Sequence, residues 1–234
     1  MKIDITFNVF TDANGGDPDS TSPTLKLYHK LLWSKDLPNG HKFELNHKKT
    51  GYYLYHYSDL GEFHLGSDSI THSYRNQKRK QWIVEQIPNE VDELFDIGST
   101  IGAFAIFPRN KINNKFTINQ ARGVNSLIDD RFDLTLECIK RYYAGQISPL
   151  YDTLNRYQDF FKLFQSFEGY IDFFLLNDLI DEKGNIRFYL PFDDFQSKPV
   201  FNSIDDYLIY KKSVGQFVNS RNQRILEYAN ENLI

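Results

Sequence analysis

The feature that most constrains this chain is a change of hydrophobic period near residue 119. Before it, apolar residues come in short runs broken by turn residues; after it, they recur at helical spacing. Leu150, Leu154, Tyr157, Phe161 and Phe164 stand at i, i+4, i+7, i+11 and i+14, a single stripe along a helix. Phe132, Leu136, Ile139 and Tyr143 form a second stripe. Residues 170–180 are apolar nearly all round and predict a buried helix, and residues 204–228 predict a long charged amphipathic one, broken near Gly215.

The earlier part reads differently. Residues 2–10 alternate loosely and suggest an opening strand. The run TDANGGDPDSTSP is a loop, and its end starts a helix: Ser22 is suited to the N-cap and Pro23 to the first helical position, with Leu25, Tyr28 and Leu32 following at helical spacing. Strands are expected at 41–45, 52–57, 63–70 and 101–107. Asn113-Asn114 suits a hairpin turn leading to a return strand at 116–118, and residues 185–190 rejoin the sheet. Neither part holds enough apolar surface to fold alone. The expected architecture is therefore one α+β domain over 1–234, β-rich to about 118 and mainly helical from about 119, with the sheet packed against the helices.

Composition narrows the function classes. With 20 Phe, 15 Tyr and 2 Trp, the core is expected to be aromatic. A net charge of −4 argues against a general nucleic-acid coat or a polybasic membrane tether. The single cysteine, Cys138, excludes an intrachain disulfide and fits a reducing compartment, and no Cys/His spacing matches zinc, so no metal is expected. The first twelve residues lack a signal-type apolar run, and the stretch 170–180 is interrupted by Asp172, Asn177 and Asp178. A cytoplasmic protein without a membrane segment is expected.

Four groups of residues carry candidate chemistry. In the first, His56 sits among tyrosines just before a turn, and Ser67-Asp68-Ser69 follows it. If Leu54, His56 and Ser58 share one strand face, Tyr53, Tyr55 and Tyr57 take the other. The structural alternative is a histidine hydrogen-bonded to backbone at the core edge. In the second, Asn119 and Arg122 flank a strand-to-helix junction, where free N–H groups and a guanidinium suit a phosphate or carboxylate. Neither a phosphate loop nor a dinucleotide fingerprint is present. In the third, Glu137 pairs with Arg141 at i, i+4 on a helix whose second side is also apolar, which would crowd the carboxylate. In the fourth, Arg75, Lys78, Arg79 and Lys80 lie between Tyr74 and Trp82, so phosphates could meet cations and bases could stack; Arg131 joins this nucleic-acid-binding set.

Two resemblances extend this reading. The stretches DPDSTSPTLKLYHKLLWSK, LGEFHLGSDSI, TINQARG and DRFDLTLECIKRYY occur in order over about residues 10–195 and resemble an uncharacterised bacterial family, a domain of unknown function. That resemblance singles out Asp17, His29, His56, Asp68, Asn119, Arg122, Arg131 and Glu137 for testing. The stretch Leu54-Tyr55-His56-Tyr57-Ser58 is similar to the opening strand of histidine-class ADP-ribosyltransferases. It implies NAD as substrate, with His56 holding the ribose and Tyr57 stacking on nicotinamide, and Asn119 and Arg122 are the further candidate NAD ligands. Asp68 and Glu137 are the carboxylates put forward beside His56 as catalytic. The late strand at 185–190 carries no glutamate, so the family's catalytic carboxylate has no direct counterpart.

The resulting expectation is an NAD-consuming ADP-ribosyltransferase or NAD glycohydrolase, a toxin or phage-defence component with a nucleic-acid or protein acceptor. A nucleic-acid-directed nuclease or binding protein is the alternative. A third is a protein-interaction module of a defence or toxin–antitoxin system, with an antitoxin or other protein as partner.

Overall fold

Residues 17–23, Asp-Pro-Asp-Ser-Thr-Ser-Pro, start two helices instead of one. Asp17 accepts the Asp19 N–H and caps the single turn α1 (Pro18–Thr21); Ser22 accepts the Leu25 N–H and caps α2 (Pro23–Trp33). Both helices place proline at the first position, where its missing N–H costs nothing. This computed structural model describes residues 2–47 and 54–233.

Two short strands, β1 (Lys35–Asp36) and β2 (Lys42–Phe43), pair antiparallel beyond α2. The main sheet runs in the order β3 (Asn46–His47), β4 (Leu54–Ser58), β5 (Gly61–Ser69) and β6 (Phe104–Pro108), all antiparallel. Its register sets His56 opposite Phe63, and Asp68 opposite Ala105. Between β5 and β6 lie α3 (Gln81–Gln86) and α4 (Pro88–Ile97). After the sheet come α5 (Ile118–Val124), α6 (Phe132–Tyr143), α7 (Tyr151–Arg156), α8 (Gln158–Lys162), α9 (Phe167–Phe173) and α10 (Ile204–Asn232). The architecture is α+β, and one hydrophobic cluster runs through both sheet and helices.

Several expected elements differ in detail. Residues 2–10 form turns held to the body by the Val9 N–H on the Ser99 carbonyl, not a strand. The strand at 52–57 is seen from Leu54 onward; Tyr52 and Tyr53 lie outside the described residues. Asn113 and Asn114 do turn the chain, both with positive φ, but no return strand follows, because Thr117 leaves the sheet to cap α5. The late strand at 185–190 is reduced to one bridge between Ile180 and Ile186. The 150–164 stripe is buried as expected, yet Tyr157 divides it into α7 and α8, which lets both halves bend around the core. In contrast α10 passes through Gly215 unbroken: Gly215 faces Ile97 of α4, and that packing outweighs the roughly 1 kcal/mol helix cost of glycine.

Aromatic residues fill the centre. Phe164 packs at 5.0–5.4 Å ring to ring against Tyr170, Phe173 and Phe174, and Phe174 meets Trp33 at 5.5 Å. The fully buried Arg221 of α10 fastens this centre to the sheet. It donates to the carbonyls of Gly102 and Phe104 at 2.8 Å and of Phe174 at 2.9 Å. Substituting Arg221→Met leaves three buried carbonyls without donors. A loss of about 3–5 kcal/mol is expected from urea unfolding, and a loss below about 1 kcal/mol would mean that α10 is held by packing alone.

Candidate functional site

Position on the sheet separates the sequence candidates. His56 and Asp68 are connected through Phe63, and Asp68 lies five positions beyond Phe63 along β5, about 17 Å of strand. Strand alternation also turns the two side chains to opposite faces.

At its own end, His56 is 1% exposed and stacks on Phe43 at 4.2 Å. Its Nδ1 lies 2.9 Å from the Glu44 carbonyl and its Nε2 lies 2.9 Å from Ser58 Oγ. Burial lowers its pKa, so the ring is neutral at pH 7 and pins the segment after β2 onto β4. Tyr57 points away and is 70% exposed. The ring is covered by Phe43 and Phe63 and does not stand on a cleft wall. Glu137 pairs with Arg141 at 2.8 Å, and Arg141 also bonds Asp194. Burial pushes the Cys138 thiol up to about 12, which makes it inert.

At the other end, α1 lies against β5. Asp19 therefore meets Asp68 closely enough for each carboxyl to shift the other, and Asp19 Oδ1 is buried without a hydrogen-bond partner. Burial, then the charges of Asp68 and Asp17, push Asp19 up to about 8. Burial likewise raises Asp68, to about 6, against the opposing pull of Arg122. Burial thus pushes both carboxyls toward the protonated form, the arrangement in which a close pair holds a proton in common.

A buried chain of donors approaches the pair from α2. Trp33 Nε1–H donates to His29 Nδ1 at 2.9 Å, and His29 Nε2 lies 2.7 Å from Ser67 Oγ. Indole nitrogen only donates, so Nδ1 is the acceptor and Nε2 carries the hydrogen. His29 thus cannot take a proton from Ser67, and burial holds its pKa down at about 3. This excludes a serine nucleophile activated by His29. Ser67 also stands beside Asp19, and its hydroxyl favours the ionised form of that carboxyl, against the larger effect of burial.

Arg122 of α5 closes the far side. It is 0% exposed; Nη1 is 3.4 Å from Asp68 Oδ2 and 3.0 Å from the Ser69 carbonyl, and Nη2 donates to the Asp130 carbonyl at 2.9 Å. Asp130 Oδ1 is 3.7 Å from Arg122 Nε, and its Oδ2 is 3.4 Å from His72 Nε2. Asp129 and Asp130 both have positive φ, a conformation that costs about 1–2 kcal/mol each; Asp130 faces Arg122 and His72, and Asp129 faces Arg79 and Lys80. The N-terminus of α5 is not the expected anion site. Thr117 and Gln120 form a capping box over it, and Arg122 stands in its last turn. Asn119 is partly buried in the first turn, its Oδ1 without a hydrogen-bond partner.

Of the basic residues read from sequence as nucleic-acid contacts, Lys80 and Arg131 are buried, while Arg75, Lys78 and Arg79 are exposed. Arg131 is buried on Asp133, Lys80 is buried 3.4 Å from Asp129, Arg79 also bonds Asp129, and Arg75 pairs with Asp92 at 3.2 Å. Among the described residues no group of three or more His, Cys, Asp or Glu side chains is arranged to hold a metal ion.

Asp19 forms part of the wall of a cleft of about 500 Å³, together with Asp17, Ser69, Thr71 and His72, and Phe10, Arg75 and Phe95 stand at other points of its lining. Sequence reasoning found Asp68 and Arg122 but missed Asp19, His72 and Asp130. A usable signal existed for Asp19: Asp17-Pro18 repeats the cap-and-proline pattern of Ser22-Pro23 five residues earlier, and so announces a turn that fixes the next acidic side chain.

Residues 3–225 match DUF6994, a family of unknown function, and the chain belongs to that family. No curated protein and no solved structure matches. No described helix is long and apolar enough to cross a membrane.

Proposed function

We propose, for this member of a family without an assigned activity, that it is an acid–base hydrolase of glycosidic bonds working at Asp19 and Asp68. The observation that carries the reading is the close pairing of two carboxyls, both pushed up by burial, with Asp19 on the wall of a cleft large enough for a small ligand. An acid that still holds its proton at pH 7 serves a leaving group that would otherwise depart as an anion.

In the proposed step the bond from the anomeric carbon to its leaving atom breaks. The electron pair goes to that atom, which takes the Asp19 proton. Water adds to the anomeric carbon and returns one proton to the carboxyl pair. Asp68, beside Asp19, holds the negative charge between turnovers, and Arg122 keeps that charge in place. Arg122 acts on Asp68 and is a positioning residue.

NAD, suggested by the His56 motif, belongs in this reading as one N-glycoside among several. Its nicotinamide leaves neutral without a proton, so Asp19 has less to contribute there than with a purine or pyrimidine nucleoside. The transferase form of the reaction replaces water by an acceptor hydroxyl or amine.

The test is release of free base from NAD, nucleosides and nucleotides, followed by chromatography. Wild type is expected to release base from a nucleoside or nucleotide, and Asp68→Asn to lower the rate about 10²–10⁴-fold. His56→Ala is expected to lower the melting temperature while leaving kcat within about threefold, since the ring touches Phe43 and Ser58 and not the cleft. Release from none of these substrates, or full activity in Asp68→Asn, overturns the proposal.

A further inference from the structure

The cleft has a second half that the carboxyl pair does not use. Phe10 is 43% exposed, unusual for a phenylalanine, and lines the cleft. One side of its ring is stacked on Phe95 at 5.2 Å and 25°. Arg75 also sits on Phe95, its guanidinium carbon 5.1 Å from the ring centre, with about half of the side chain open to water. The base of Phe10 is fixed, since its N–H donates to Asn8 Oδ1 at 3.0 Å and Val9 is tied to Ser99. An exposed ring that is nonetheless held in place is a platform and not a mobile surface residue.

A second observation points to a ligand. Thr71 is 5% exposed and lines the same cleft, yet its Oγ1 has no hydrogen-bond partner in the protein. A buried hydroxyl without a partner costs about 1–3 kcal/mol, and a polar atom brought into the cleft would satisfy it. Gly98 keeps that floor open: a Cβ there would come within 3.2 Å of Thr71 Oγ1 and 3.1 Å of the Leu94 carbonyl.

We infer that this half is a nucleotide subsite: a planar base stacks on the outer face of Phe10, a polar edge of the ligand reaches Thr71 Oγ1, and a phosphate meets Arg75. The inference rests on the hydrolase reading for its purpose, because it names the substrate class of the same cleft, but not for its geometry. Aromatic stacking tolerates any base, so the subsite selects for a base as such. The phosphate contact is a half-exposed cation already 3.2 Å from Asp92, so it adds a salt-sensitive increment and not the bulk of the affinity.

The test uses a purine C-nucleoside and its 5′-monophosphate, whose carbon–carbon glycosidic bond cannot be hydrolysed, titrated into the full chain by calorimetry. Wild type is expected to bind both. Phe10→Ala weakens both about tenfold or more, and Phe10→Trp restores them. Thr71→Val, which keeps the shape and removes the hydroxyl, weakens both about fivefold. Arg75→Ala weakens only the monophosphate, and added salt does the same to wild type. No binding of either compound up to about 5 mM, or Phe10→Ala binding as tightly as wild type, overturns the subsite. Binding with this pattern but no hydrolysis of ordinary nucleotides overturns the hydrolase reading alone. Hydrolysis that is indifferent to Phe10→Ala overturns the subsite alone.

Discussion

Asp19→Asn is expected to abolish turnover and, at pH 8, to make the protein more stable than wild type. Asp19 ordinarily titrates at 3.8 and is pushed up to about 8 in the folded chain. Between those values the folded state holds a proton that the unfolded state has released, so stability falls as pH rises from about 4 to about 8. Its contribution is fully present below about 4 and is lost once pH passes about 8. Asparagine makes no such demand, because it stays neutral at every pH. The variant is therefore expected to match wild type within about 1 kcal/mol at pH 5 and to exceed it by on the order of 2–3 kcal/mol at pH 8. Urea midpoints at the two pH values measure this directly. A variant equally destabilised at both would mean that Asp19 is an ordinary ionised side chain.

Arg122→Met is expected to be the most damaging single change near the cleft. It removes one buried cation that faces two carboxylates, Asp68 and Asp130, and donates to the carbonyls of Ser69 and Asp130. Breaking a buried pair by deleting one partner costs about 3–5 kcal/mol, because the remaining charge is left uncompensated. The Asp68 carboxyl then rises further, since the guanidinium is what opposes its burial. If the cost comes from that stranded charge, Asp68→Asn combined with Arg122→Met will be less destabilising than the two single changes added together. Chemical denaturation of the three variants decides this; strict additivity would show that Arg122 acts through its carbonyl contacts alone.

How much of this was legible in the sequence depended on whether the cause was local. The stripes at 132–143 and 150–164 were readable because helical burial is a periodic demand on neighbouring positions. The cap at Ser22 was readable for the same reason. The return strand at 116–118 was not: the local apolar pattern fits a strand, but Thr117 and Gln120 satisfy each other's backbone groups better as a helix start. The site shows the same division. Asp68 was read in the Ser67-Asp68-Ser69 stretch after the His56 strand, and Arg122 at a strand-to-helix junction. Asp19 became significant only when α1 lay against β5, and His72 only when Asp130 folded back to it in a left-handed conformation. His56 shows the opposite failure. Its tyrosine neighbours suggested a nicotinamide stacker, yet they take the other strand face, and Phe43 and Phe63 cover the ring.

The central claim is that Asp19 and Asp68 share a single proton at neutral pH. Carbon-13 NMR of labelled aspartate carboxyls, titrated from pH 4 to pH 9 and assigned with Asp19→Asn and Asp68→Asn, tests it most directly. The account predicts one coupled pair with steps near 6 and near 8, both lost or displaced when either residue is replaced. Two independent titrations completed below about pH 5, each unaffected by substitution of the other residue, would contradict it.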